Sequence, residues 1–240
     1  MDAPPAPTAS LPPRAVPLTH AFAWFEAALR TFKRAPLRWC ALGLITLGSE
    51  FLLKLVPGIG VAAAEVIVPV VECGMLLAAA AVDRGARPGI RFATAAFAAP
   101  PAALAAIVLA ALFVSAVEAL VAYTLTGVNL MAASADTTMD ASTLLVVGGA
   151  ATVASLPVVF VPMAVLLQHA AFGRAFALSA RAFALNVAPL VLFGLLSLLL
   201  TVIGVIAFWV GLVAVYPLLV LASYAAWKDI CGTRTALTPS

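Results

Sequence analysis

The sequence predicts an all-α polytopic membrane protein with six transmembrane helices, two amphipathic helices on the cytoplasmic face and an internal repeat. Three observations carry that expectation. Of 240 residues, 65% are hydrophobic and 10% charged, whereas an average soluble domain is about 25% charged; mean hydropathy is +1.15. Six apolar stretches each approach the roughly 20 residues that cross a bilayer. Lys and Arg fall almost entirely on one side of those stretches, the bias that orients membrane chains.

The elements follow in order. "MDAPPAPTASLPPRAVP" has six prolines, one Arg and no apolar run, so it does not read as a signal peptide. Proline fixes φ and removes amide donors, and residues 1–19 are expected to be a disordered cytoplasmic tail. Residues 20–230 then form the transmembrane domain and 231–240 a short cytoplasmic tail. In "AFAWFEAALRTFKRAP", Phe22, Phe25, Leu29 and Phe32 share a helical face, with Arg30, Lys33 and Arg34 opposite. This predicts an amphipathic helix at the membrane surface.

Spans are expected at about 38–56, 60–82 and 100–123, the third starting at Pro100 and Pro101, where proline is tolerated in a first helical turn. A fourth is expected at about 143–167, with Pro157 and Pro162 as kinks. Before the fifth, "AFGRAFALSARAFALN" places Phe172, Phe176 and Phe183 opposite Arg174 and Arg181, a second amphipathic helix. The fifth and sixth spans share 189–228. With no water in the hydrocarbon core, helices are the structure in which these segments satisfy their own backbone.

Six crossings put both termini on one side, together with twelve of the thirteen Lys and Arg; Lys54 alone lies on the other. By the positive-inside bias that side is cytoplasmic, and the 124–142 loop, with two Asp and no Lys or Arg, faces outward. Trp24, Trp39 and Trp227 fall near the inner boundary and Trp209 near the outer, as in an aromatic belt. A repeat is legible as well. "ALRTFKRAPL" before the first span matches "SARAFALNVAPL" before the fifth, and Pro69 before "AAVD" matches Pro217 before "AAWKD". Both copies start on the same side, so the repeat is parallel, and duplication is common in transporter folds.

"SEFLLKLVPGIGVAAAEVIVPVVEC", residues 49–73, is the sharpest functional feature. It reads as two spans joined at Gly58, yet holds Glu50, Lys54, Glu65 and Glu72. At 1.5 Å per residue, Glu50 lies about 12 Å from the turn, Glu65 about 10 Å and Lys54 about 6 Å. Lys54 follows Glu50 by four residues, the spacing of a helical ion pair. Glu118 of the third span reaches the same outer half. Pro69 cannot bond the Glu65 carbonyl, and Glu72 lies two turns deeper on the Glu65 face. Glu50, Lys54, Glu65, Glu72 and Glu118 are the candidate intramembrane polar cluster. Charge in the bilayer costs about 2.5–3.5 kcal/mol on insertion scales, so these groups should face the bundle interior. They serve either a cation or proton path or a structural polar cluster.

Catalytic chemistry finds little support. The two histidines, His20 and His169, fall near the inner boundary, and no H-E-x-x-H, G-x-S-x-G or P-loop occurs. Cys40, Cys73 and Cys231 have no metal-ligand spacing and read as reduced thiols. No enzyme activity, metal or cofactor is expected. The candidate interfacial basic residues Arg30, Lys33, Arg34, Arg174 and Arg181 suit anionic lipid headgroups. Alanines 102, 106 and 110 form a small-residue row suited to close packing within the bundle or in a homo-oligomer. The expected partner is the lipid bilayer, with no nucleic acid.

"WFEAALRTFKRAPLRW", "VPGIG", "RPGIRF", "ARAFALNVAPLVLFG" and "YAAWKDI" resemble a family of uncharacterised bacterial six-helix inner-membrane proteins. That family is distantly similar to the membrane domain attached to some glycerophosphodiester phosphodiesterases. The resemblance spans roughly residues 20–230 and implies the six-helix fold and an inner-membrane location, with no activity or site residues to carry over. The leading expectation for function is a non-enzymatic protein that organises lipid or partner proteins; the alternative is a small transporter or proton- or cation-coupled carrier using the intramembrane glutamates.

Overall fold

A computed structural model of the chain describes residues 12–127, 141–207 and 210–232. The regular elements of the described residues are all helices, in the order α1 (His20–Lys33), α2 (Pro36–Lys54), α3 (Gly60–Asp83), α4 (Pro101–Thr126), α5 (Ala141–Ser155), α6 (Val161–Leu167), α7 (Phe172–Leu185), α8 (Val187–Ile206) and α9 (Val210–Cys231), with two 3-10 turns between α3 and α4. Five of these, α2, α3, α4, α8 and α9, are long and apolar enough to cross a membrane. The chain is therefore built as a membrane protein.

The helix ends have local causes. Prolines stand in the first turns of α2 and α4, where a missing N–H costs nothing. Gly58 (φ +81°) turns α2 into α3 and Gly127 (φ +71°) ends α4, both in the left-handed region that glycine enters without penalty. The stretch expected as a continuous fourth span is instead two helices. α5 stops at Ser155 and α6 starts at Val161, with Pro157 in the intervening turns and Pro162 in the first turn of α6. Two prolines five residues apart each withdraw an amide donor, and the helix unwinds over residues 156–160 rather than bending.

Neighbouring helices close a ring: α2 packs on α3, α3 on α4, α4 on α5, α5 on α8, α8 on α9, and α9 back on α2, with α3 also touching α9 across it. The ring is packed unevenly. From Val70 onward α3 is buried almost all round, whereas before it only Gly60, Ala64 and Val68 are buried. On α4 the buried row is Ala103, Ala106, Ile107 and Ala110, and beyond it only Ala122. Of the expected small-residue row, Ala106 and Ala110 pack inside the bundle, while Ala102 is exposed and its neighbour Ala103 is buried instead. The dense half lies at the end where α3 and α9 finish, and α1, α6 and α7 crowd that same half.

Two features of the dense end depart from the sequence reading, and a third lay outside it. The loop between α3 and α4 is held against the bundle. Its 3-10 turns, Ile90–Phe92 and Ala95–Ala98, pack back on α3, and Gly74 lets the Phe92 carbonyl lie against the helix backbone. Trp24, Trp39 and Trp227 are only 2%, 1% and 8% exposed, so they are core residues rather than lipid-facing belt residues; Trp209 lies outside the described residues. Finally, residues 12–19 are held rather than disordered. Arg14 donates to the Asp229 carboxylate and, through Nε, to its backbone carbonyl (2.6 Å). The Val16 amide donates to Asn186 Oδ1 (2.8 Å), and Asn186 Nδ2 donates to the Arg14 carbonyl (2.9 Å). The expected tail is corrected for these residues; residues 1–11, most of the 124–142 loop and residues 233–240 lie outside the described part.

Candidate functional site

The loosely packed half of the ring encloses a cavity of about 760 Å³. Its walls carry all five members of the predicted polar cluster: Glu50 and Lys54 from α2, Glu65 and Glu72 from α3, and Glu118 from α4. Each arrives by helical spacing. Glu50 and Lys54 are one turn apart, and the Lys54 ammonium donates to Glu50 Oε1 at 2.6 Å. Both are partly exposed, 35% and 45%, so this pair stands at the open mouth, where an exposed ion pair adds little stability. Glu65 and Glu72 are seven residues apart and share a face of α3. The Glu65 carboxylate accepts from the Ser115 hydroxyl of α4, which ties the two helices across the cavity.

Two wall residues escaped the sequence reading. Ser115 precedes Glu118 by three residues and so shares its side of α4; that spacing was a usable signal. Tyr216 of α9 lines the cavity too, together with Glu72. Tyr216 gave no sequence signal beyond a tyrosine in a span. Its position follows from the α9 approach to α2, where Gly43 presses on Pro217 and the Val213 carbonyl. Pro217 cannot bond that carbonyl, as Pro69 cannot bond that of Glu65, so each proline leaves one backbone acceptor without its helical donor. Among the described residues Glu118 has no ion pair within bonding distance.

A second, smaller cavity of about 230 Å³ adjoins the first. Pro69, Glu72, Ala111 and Val114 line both. The smaller cavity runs toward the dense half and reaches the unwound link between α5 and α6 through Val158, Val159 and Pro162. Glu72 therefore stands at the junction of a wide acidic vestibule and a narrow, mostly aliphatic chamber beside a broken helix.

The other candidates fall elsewhere. Arg30, Lys33 and Arg34 lie on α1 and its end, Arg174 and Arg181 on α7, all exposed. Arg30 pairs with Glu26 one turn away. α1 rests on α9 and α8, and α7 on α6, α4 and α8, so the two basic groups sit on different elements. At the dense end Asp229 gathers donors: Arg14, His20 Nδ1 at 2.6 Å and the Trp24 indole at 3.0 Å. Nearby Asp83 takes Tyr224 (2.9 Å) and Lys228. These networks staple α1 and α3 to α9 and present no nucleophile. Cys40, Cys73 and Cys231 are free thiols. Among the described residues no three His, Cys, Asp or Glu side chains converge to hold a metal.

No family model, no curated protein and no solved structure matches this chain.

Proposed function

We propose that this chain is a small, non-enzymatic carrier of protons or monovalent cations in a bacterial inner membrane. The observation that supports it is the pair of adjoining cavities, with ionisable side chains from α2 and α3 and from α4 around the wide one and Glu72 at the junction. Charged residues inside a membrane bundle mark ion or proton paths by default, and broken helices line the binding sites of many transporters. We read α5 and α6 as one interrupted crossing, which makes six crossings and puts both termini in the cytoplasm by the positive-inside bias. On that reading the wide cavity opens outward, and α1 and α7 lie as amphipathic helices on the inner surface against anionic lipid. The succession of a surface helix, a span and a proline-bearing span occurs twice, as α1–α3 and α7–α9, which supports an internal parallel repeat. Membership of the six-helix family rests on the quoted motifs alone.

One observation favours the second reading, a structural protein that organises lipid or partners: Glu50 is paired by Lys54 and Glu65 is bonded by Ser115. A cluster that only held helices together would need no cavity around it. Proton flux into dye-loaded proteoliposomes under an imposed potential separates the two. The carrier reading expects flux above protein-free vesicles, abolished by Glu65→Gln with the fold intact. Flux equal to protein-free vesicles would leave the structural reading standing.

A further inference from the structure

The smaller cavity carries an inference of its own, resting on the carrier reading. Its walls are aliphatic, with Ile107, Ala110 and Met163 among them, and among the described residues no Lys, Arg or aromatic side chain lines it. One carboxyl, that of Glu72, faces it, and its other polar groups are the hydroxyls of Ser155 and Ser223 and the Cys73 thiol. An oxygen-ligated metal cation such as calcium takes about six to eight oxygens, which one carboxylate and two hydroxyls do not supply. An anion would meet Glu72 with no compensating charge. A neutral hydrocarbon would leave ionised Glu72 with no cationic partner, the costly case for a buried charge. What fits is a hydrocarbon body bearing one positive charge that sheds water easily. A quaternary or highly substituted ammonium does so, because few or no N–H groups are left to satisfy.

We propose that the smaller cavity is a binding site for a small lipophilic organic cation, whose ammonium pairs with Glu72 and whose hydrocarbon part packs against Ile107, Ala110 and Met163. The volume, about 230 Å³, lies just below the roughly 300–1,000 Å³ of drug-sized sites, so the occupant is small. The wide vestibule feeds it: carboxylates in a low-dielectric cleft raise the local concentration of cations. The unwound link between α5 and α6 supplies part of the wall, so occupancy bears on that break.

The test is equilibrium binding of radiolabelled benzyltrimethylammonium to the full-length chain in lipid nanodiscs, with neopentylbenzene, its neutral carbon isostere, as competitor. The expected result is saturable binding of the cation, with the neutral isostere competing at least about tenfold more weakly. Glu72→Gln should lower cation affinity by about tenfold or more. Ala110→Leu, which fills the chamber and leaves Glu72 in place, should remove binding. Leu199→Ala, at an exposed position of α8 that lines neither cavity, should leave affinity within about twofold, less than the 1.4 kcal/mol that a tenfold change represents. Elution as a single species and a cooperative unfolding transition certify each variant. If Glu72→Gln does not fold, the Ala110→Leu arm decides. Equal affinity for cation and isostere, unchanged affinity in folded Glu72→Gln, or unchanged affinity in Ala110→Leu would overturn the site. Binding as predicted with no flux in proteoliposomes would overturn the carrier reading and leave the site standing.

Discussion

At the residue scale, single atoms decide how close the helices come. A methyl on Gly43 would lie 2.5 Å from the Val213 carbonyl oxygen and 3.0 Å from Pro217 Cδ. Neither is the tip of a flexible side chain, so α2 and α9 must separate. Gly43→Ala should therefore cost about 1–3 kcal/mol, as overpacking does, and lower the unfolding temperature; an unchanged temperature would mean that the α2–α9 contact yields freely. Asp229 works by acceptance. Its carboxylate takes the indole N–H of Trp24, a residue 2% exposed. Asp229→Ala leaves that donor buried without a partner, a loss of about 1–3 kcal/mol, to be read in the same thermal assay. Glu50, Lys54 and Glu65 were legible because helical spacing and depth from Gly58 place them in one half of the bundle, Glu118 because it falls near the end of its span, and Glu72 because it shares the Glu65 face two turns deeper. Asp229 was not, because its partners Arg14, His20 and Trp24 lie more than two hundred residues away in sequence and no local pattern links them.

At the element scale, span boundaries were legible wherever proline and glycine mark them. Stretches expected at 38–56, 60–82 and 100–123 are helices at Pro36–Lys54, Gly60–Asp83 and Pro101–Thr126. The apolar run from 143 to 167 misled because hydropathy does not register backbone continuity. Its prolines were read as kinks, and the chain answered with an unwound turn. The N-terminal segment misled for the opposite reason: proline-rich composition suggests disorder, yet Val16 and Arg14 exchange hydrogen bonds with Asn186, itself 1% exposed. Deleting residues 12–19 should accordingly destabilise the chain measurably. The expectation is a fall of several degrees in unfolding temperature, since each lost hydrogen bond contributes about 0.5–1.5 kcal/mol. A deletion with wild-type stability would return the segment to the status of a loose tail.

At the scale of the whole molecule, the unequal packing of the two halves organises everything else. One half is sealed by α1, α6, α7 and the two 3-10 turns; the other holds the wide cavity. Composition foretold a helical membrane bundle, and charge asymmetry gave it a direction, but neither contains the information that packing would be tight at one end and open at the other. Topology reporters test the direction: fusions after Arg87 and after Ser240 should read as cytoplasmic and one after Asp136 as external. An external reading at Ser240 would require an odd number of crossings. The most direct test of the central claim, an acidic cavity reaching from one membrane face to Glu72, is thiol labelling by a membrane-impermeant reagent. Cys40, Cys73 and Cys231 are first replaced by alanine, and one new cysteine is added at a time. Glu118→Cys and Glu72→Cys should both label from the face opposite the termini, while Leu199→Cys, on the outward side of α8 at 56% exposure, should not. A Glu72→Cys variant as unreactive as Leu199→Cys would contradict the account.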